Sequence, residues 1–104
     1  MSCSRNDVVL VPIPFTDLIS RKVRPAIVLG TTPHGDLLLA PITSQAHNID
    51  SPLVHWRAAG LNVPCGAKAQ LATVDQRCVL KTVGSLAAAD VATIDASLRQ
   101  WLHL

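Results

Sequence analysis

Residues 7–14 read Asp-Val-Val-Leu-Val-Pro-Ile-Pro, the most strand-like stretch of the chain, and they decide its fold class. The β-branched residues favour a strand over residues 7–13. Because proline donates no hydrogen bond to a sheet, Pro12 and Pro14 confine this strand to a sheet edge or a bulged end. The chain is therefore expected to open with a β-strand.

The next part of the chain predicts a loop and then more strands. Residues 15–23 are polar or basic without periodicity, which predicts a surface loop. Two apolar runs then flank the sequence Thr-Thr-Pro-His-Gly, whose Pro33 and Gly35 supply the turn geometry of a hairpin. The runs of this hairpin are residues 25–30 and 36–42, and shorter strand candidates cover residues 52–56, 67–71 and 78–84.

The last segment, residues 87–104, has a different periodicity. Its apolar residues recur at spacings of three and four, which predicts an amphipathic helix; they are Val91, Ile94, Leu98 and Trp101. Asp90 near the start and Arg99 near the end suit the helix macrodipole. Short antiparallel strands followed by one helix predict a mainly β (α+β) fold, a small bent sheet or partly closed barrel covered by the helix.

Size and composition indicate one globular domain over residues 1–104. The 104 residues are 49% hydrophobic and 15% charged, with a mean hydropathy of +0.35, which is enough apolar surface for a packed core. No apolar stretch approaches the roughly 20 residues that span a bilayer, and the N-terminus does not resemble an export signal. A cytoplasmic protein without a membrane segment is therefore expected.

Several kinds of chemistry find little support in the sequence. Glutamate is absent, and neither the spacings typical of zinc sites nor a glycine-rich nucleotide-binding loop occurs. No metal or other cofactor is therefore expected. Cys3, Cys65 and Cys78 are best explained as reduced, small hydrophobic side chains or unreactive thiols.

The distribution of charge points to an anionic partner. The formal net charge is +2, and Arg21, Lys22 and Arg24 lie within four positions of one another, at the end of the predicted loop. A concentrated basic segment of this kind suits a phosphate-bearing ligand. The segment is the first candidate for function.

Five segments taken together resemble the MazF/PemK family of toxin endoribonucleases from type II toxin-antitoxin systems. The resemblance implies a PemK/CcdB-type, SH3-like barrel of five to seven antiparallel strands with a C-terminal helix. It also implies a homodimer that cuts single-stranded RNA, such as mRNA, at specific sequences without metal and is inhibited by a cognate antitoxin. The matching segments are residues 7–17, 24–29, 40–45, 70–75 and the terminal helix.

The resemblance places the catalytic groups at Arg24 and Thr43. Metal-free RNA cleavage can use the 2′-hydroxyl as an internal nucleophile, so the protein has to position the phosphate and stabilise its negative charge. A guanidinium offers a rigid fork of donors to phosphate oxygens, which suits Arg24 to charge stabilisation and to proton donation. Thr43 can donate its hydroxyl to a second phosphate oxygen.

Residues near these two are expected to bind RNA. Ser20, Arg21 and Lys22 are predicted to contact neighbouring phosphates. Contacts with bases or sugars are predicted for Ser44, Gln45 and Gln70. His47 lies four residues past Thr43 and is a candidate proton shuttle, because an ordinary histidine titrates near neutral pH. The identity of the general acid and base stays open.

Two departures from the family pattern and two rival interpretations remain. Asn6 stands where the family usually has glycine, although asparagine tolerates a left-handed backbone. Some members carry an acidic or basic side chain just before the segment that matches residues 70–75, where this chain has Ala67, Lys68 and Ala69. The missing charge around Ala67 and Ala69 is consistent with a degenerate toxin that only binds antitoxin. The C-terminal Trp101 favours a second alternative, a non-enzymatic toxin resembling the CcdB proteins that poison DNA gyrase.

Overall fold

A computed structural model describes residues 3–14 and 21–104, and it has seven β-strands, two single-turn 3₁₀ helices and one α-helix within these ranges. None of the helices in the described ranges is long and apolar enough to cross a membrane. The strands are β1 (Asp7–Pro14), β2 (Arg21–Thr31), β3 (Asp36–Thr43), β4 (Ser51–Pro52), β5 (Gly66–Ala67), β6 (Ala72–Asp75) and β7 (Lys81–Ser85). The 3₁₀ helices cover Ala46–Asn48 and Gln76–Cys78, and α1 covers Ala88–Leu102.

All strand pairs are antiparallel, in the order β4-β5-β3-β2-β1-β7, and β6 also pairs with β3. The predicted mainly β fold with a C-terminal helix is confirmed. The predicted hairpin is formed by β2 and β3, whose register joins Ala26 to Pro41 and Ile27 to Ala40. Within the described part of the chain the sheet does not close into a complete barrel, because the end strands β4 and β7 are not paired with each other.

The first strand is not an edge strand along its whole length. β1 pairs with β2 from Val8 to Pro14 and with β7 from Asp7 to Leu10. Pro12 therefore lies in the half of β1 that pairs with β2 alone. Its missing N–H interrupts no hydrogen-bonded ladder on the opposite side of β1. The turn before β1 carries Asn6 at φ 74°, which confirms that asparagine accepts the left-handed backbone expected there.

The two faces of the bent sheet bury two apolar clusters. Val8, Ile27 and Ile42 belong to the cluster beneath α1, which also contains Ile94 and Leu98 of the helix. Consecutive strand residues point to opposite faces, so Val9 belongs to the second cluster. That cluster also contains Val11, Ile13, Ala26, Val28, Leu37 and Leu39. The predicted helix spacing is confirmed, because Val91 and Trp101 are half-buried against the first cluster.

Several predicted strand boundaries are wrong. Arg21, Lys22 and Val23, expected in a loop, begin β2, because they pair with the proline-rich end of β1. The strand expected at residues 52–56 is only two residues long, since the chain turns at Val54. The strands expected at residues 67–71 and 78–84 instead occupy Gly66–Ala67, Ala72–Asp75 and Lys81–Ser85.

Candidate functional site

A cleft of about 360 Å³ opens where β1, β2 and β3 meet the segment between β4 and β5. Its apolar lining includes Leu10, Pro25 and Ile42, and Leu10 and Pro25 are register partners on adjacent strands. Polar side chains also line the cleft: Arg24, Ser44 and Asn62. An apolar pocket with a few polar groups is the usual form of a small binding site.

The two predicted catalytic residues lie on the adjacent strands β2 and β3. Arg24 is half-buried on β2 and is paired with Val11 of β1. The β2–β3 ladder ends at Ala26 and Pro41, two residues short of Arg24 and Thr43, and Thr43 pairs with Gly66 of β5. Arg24 lines the cleft, whereas Thr43 directly precedes the cleft-lining Ser44 and is not itself part of the lining.

Thr43 ends β3, and its hydroxyl is held by the following turn. The backbone N–H of Gln45 donates to Oγ1 of Thr43 at 3.1 Å. A hydroxyl that accepts one hydrogen bond can still donate its own proton. Thr43 is half-buried, so the hydroxyl is fixed at the end of a strand and suited to hydrogen bonding with a ligand.

The other predicted RNA-binding residues are placed unevenly. Ser44 lines the cleft, and Gln45 follows it with its Oε1 accepting from Nδ2 of Asn48 at 2.9 Å. His47 is exposed on the first 3₁₀ helix and Gln70 is exposed before β6, and neither lines the cleft. Lys22 is exposed on β2, where Arg21 is the first residue, whereas Ser20 lies outside the described residues.

Residues 60–65 form a wall of the cleft that the sequence pattern does not predict. Leu61, Asn62, Val63 and Cys65 of this segment line the cleft, although in sequence it appears only as a separator between strands. Burial raises the pKa of the Cys65 thiol, which favours the protonated form over a nucleophilic thiolate. The contribution of Cys65 to the cleft is therefore packing.

The preceding turn, Val54–Gly60, is held by a buried carboxylate on the helix. Asp90 is 1% exposed, and it accepts the backbone N–H groups of Val54 and His55, both at 2.9 Å. Asp90 was expected only to suit the helix macrodipole. Its position in the first turn of α1 instead ties the helix to the turn that leads into the cleft wall.

The backbone of the same turn packs directly against the backbone of β7. Gly60 has φ +89°, and a Cβ there would lie well under 3.0 Å from the carbonyl oxygen of Val83. A Cβ at Gly84 would meet the carbonyl oxygen of Ala59 in the same way. Only glycine fits both positions, so two backbones approach closely beside the cleft.

The ion pairs between described residues lie away from the cleft. Arg77 bonds the Asp75 carboxylate at 2.8 Å and lowers the pKa of Asp75 from 3.8 to about 2. Arg5 bonds Asp95 on α1 at 2.6 Å. In residues 3–14 and 21–104, no three His, Cys or Asp side chains come together as metal ligands.

Comparison with known proteins identifies the class. Residues 4–102 match the family described as PemK-like, MazF-like toxin of type II toxin-antitoxin systems. This match covers nearly the whole chain, and the chain belongs to that toxin family. The resemblance found in the sequence is confirmed. No curated protein sequence matches the chain.

Two solved structures have the same fold. One is an endoribonuclease in complex with its cognate antitoxin from a mycobacterial species, with a TM-score of 0.73 and 13% sequence identity. That comparison covers 98% of this chain and 94% of the other. The second is the Mycobacterium tuberculosis toxin MazF-mt6, with a TM-score of 0.72, 19% identity, and coverage of 94% and 97%. At these identities, the comparisons show a shared fold.

Proposed function

We propose that this toxin is an endoribonuclease that cleaves single-stranded RNA, with Arg24 and Thr43 at the reacting phosphate. The observation that carries the proposal is that Arg24 lines the cleft and that Thr43, at the end of β3, directly precedes the cleft-lining Ser44. Membership of the toxin family supports the same activity. Rigid strands hold both groups, which is what phosphate positioning requires.

The reaction needs no nucleophile from the protein. The 2′-oxygen of the RNA attacks the adjacent phosphorus, the bond to the 5′-oxygen breaks, and that oxygen leaves as a 5′-hydroxyl after taking up a proton. The Arg24 guanidinium stabilises the charge that develops on the phosphoryl oxygens. Thr43 donates its hydroxyl to a second phosphoryl oxygen.

The reaction moves two protons: a general base takes one from the 2′-hydroxyl, and a general acid gives one to the 5′-oxygen. Arg24 is a poor general base because a guanidinium holds its proton tightly. His47 is exposed outside the cleft lining, four residues beyond Thr43, and stays a candidate proton shuttle. Its role is tested separately by a His47→Ala variant.

The basic stretch beside Arg24 extends the proposed RNA path. Lys22 is exposed at the start of β2, next to Arg21. Ser20, Arg21 and Lys22 are proposed to contact flanking phosphates, while Ser44, Gln45 and Gln70 contact bases or sugars. Phosphate contacts of this type predict RNA affinity that falls as salt concentration rises.

The proposed partners are a second copy of this chain and an antitoxin. One structure with the same fold was solved with its cognate antitoxin. A small antitoxin with a disordered acidic segment would complement the basic residues around Arg24 and block the cleft. The toxin would act in the cytoplasm, where its RNA substrate is found.

The terminal helix does not favour the alternative of a gyrase-directed toxin. Trp101 is half-buried against the core cluster beneath α1, and packing alone explains its presence. A toxin that only binds antitoxin would bind the antitoxin and leave RNA intact.

The test uses purified protein and long single-stranded RNA in EDTA, with mapping of the fragment ends. Wild type is expected to cut at one short sequence and to leave 5′-hydroxyl ends. Arg24→Ala and Thr43→Val are each expected to lose on the order of 100-fold or more in rate, as for a lost oxyanion donor. Thr43→Ser keeps a hydroxyl and should retain most of the activity.

The exposed Arg99 on α1 provides a control for removing one positive charge, because it lies away from the cleft lining. Arg99→Ala should cut at the wild-type rate. Full activity of a folded Arg24→Ala protein would reject the assignment of the site. No cutting by wild type across varied RNAs would reject the nuclease and favour the binding-only or gyrase-directed toxin.

A further inference from the structure

The segment between Asp50 and Asp75 is the longest part of the sequence without an acidic residue, and its charged side chains are Arg57 and Lys68. Arg57 lies in the turn Val54–Gly60, which leads directly into the cleft wall. The backbone N–H of Gly60, a cleft-lining residue, donates to the Arg57 carbonyl oxygen at 3.0 Å. Arg57 therefore lies three residues before the cleft wall, and its backbone is hydrogen-bonded to a cleft-lining residue.

The Arg57 side chain is oriented by a neighbouring ring. Its guanidinium carbon lies 5.0 Å from the centroid of the Trp56 ring, and Trp56 is half-buried against the core cluster beneath α1. A guanidinium stacked on an aromatic face leaves the N–H groups on its edge directed outward. The stack therefore positions a fork of hydrogen-bond donors at the surface.

Arg57 differs from two other arginines in its electrostatic partners. Arg5 bonds Asp95 and Arg77 bonds Asp75. Among the residues that the structure describes, no carboxylate forms a salt bridge with Arg57. Its exposed charge remains available to a phosphate, the anion whose geometry the guanidinium fork matches.

The turn that carries Arg57 is held in place from two sides. Asp90 accepts the N–H groups of Val54 and His55, and Gly60 packs on the backbone of β7. Leu61 N–H also donates to the Trp56 carbonyl oxygen at 3.1 Å. A surface fixed before binding loses less entropy when its ligand arrives.

We propose that the turn Val54–Gly60 is a second RNA-contact surface, in which Arg57, stacked on Trp56, binds a backbone phosphate of the single strand beyond the nucleotides in the cleft. The proposal rests on the proposed function, since it extends the same RNA path. Asp90 supports this surface from beneath, because its buried carboxylate accepts the N–H groups of Val54 and His55.

The experiment measures binding of a fluorescein-labelled, mixed-sequence 20-nucleotide RNA by anisotropy, in EDTA at low temperature, with gel analysis to verify that the probe stays intact. Arg57→Ala is compared with Arg57→Lys and with Arg99→Ala, which removes the same charge from α1. A parallel assay with long RNA measures cleavage by wild type. Salt titration of each variant reports the number of phosphate contacts.

Arg57→Ala is expected to weaken binding about tenfold, and to reduce the slope of log K against log salt by about 0.7, the value for one phosphate contact on a single strand. Arg57→Lys should recover the salt slope and part of the affinity, because it keeps the charge and loses the planar fork. Arg99→Ala should match wild type.

Equal binding by Arg57→Ala and Arg99→Ala overturns the second surface, and the nuclease proposal then stands if wild type still cuts the long RNA. Wild type that fails to bind the 20-nucleotide probe overturns it as well. Loss of affinity in Arg57→Ala with no cleavage by wild type supports the RNA surface and rejects the nuclease. The two proposals can therefore fail separately.

Discussion

Two glycines with almost the same φ separate the cost of a left-handed φ from the cost of close packing. Gly35 has φ +87° and Gly60 has φ +89°. A Cβ added at Gly35 meets no atom within 4 Å, whereas a Cβ at Gly60 collides with the Val83 carbonyl group. Substituting each by alanine therefore imposes the same backbone strain and adds a steric clash at Gly60 alone.

The expected magnitudes follow from these two contributions. A left-handed backbone costs a non-glycine residue about 1–2 kcal/mol, which is the full expected loss for Gly35→Ala. Overpacking against atoms that can barely move adds about 1–3 kcal/mol, so Gly60→Ala should lose about 2–5 kcal/mol. The extra loss corresponds to a further drop in melting temperature of roughly 4–8 °C per kcal/mol for a chain near this size.

Urea denaturation followed by circular dichroism gives the free energy of unfolding of wild type and both variants. Gly60→Ala should also reduce RNA cleavage, because Gly60 lines the cleft, while Gly35→Ala should leave cleavage unchanged. Equal losses of stability in the two variants would refute the steric reasoning. The turn Val54–Gly60 would then have to be free to move away from β7.

Three other substitutions test separate features. Asp90→Asn leaves one of the two N–H groups, of Val54 or His55, facing an amide donor, so thermal unfolding should show a loss of about 1–3 kcal/mol. The side chain and the backbone N–H of Arg77 lower the pKa of Asp75, so the pair stabilises the fold above pH 3.8 and its contribution is lost as pH falls toward 2. NMR titration of Arg77→Ala should find the Asp75 pKa raised but still below 3.8, because the backbone N–H of residue 77 still donates to the carboxylate. His103 ends α1 at φ 57°, and His103→Gly should raise the free energy of unfolding by about 0.5 kcal/mol.

Local sequence patterns predicted those strands, turns and helices that are specified by their own residues. The β-branched residues of β1, the Pro-His-Gly turn between β2 and β3, and the spacing of Ile94 and Leu98 each reflect interactions within one element or between neighbours. Such interactions leave a periodic signal in the sequence. The family resemblance then supplied Arg24 and Thr43, which spacing alone could not have joined.

The turn Val54–Gly60 shows why the rest was not predicted. Pro52-Leu-Val-His-Trp has the composition of a strand, and the chain leaves the sheet there because Asp90, 36 residues later, accepts the N–H of Val54. Gly60 likewise looks like an ordinary loop glycine until β7 packs against it. Contacts between residues so distant in sequence leave no local periodicity, so neither the turn nor the cleft wall could be found from pattern.

The terminal helix consequently belongs to the architecture of the site. β4 and β5 have two residues each, and strands this short are not stable alone. α1 supports them through Asp90 beneath the turn and through Ser97, whose hydroxyl donates to Ser51 at 2.9 Å. Because the cleft wall follows this turn and ends at β5, the position of the wall of the Arg24 cleft depends on the contacts that α1 makes. Substitutions that destabilise the first turns of α1 should therefore impair RNA cleavage, even though no described residue of α1 lines the cleft.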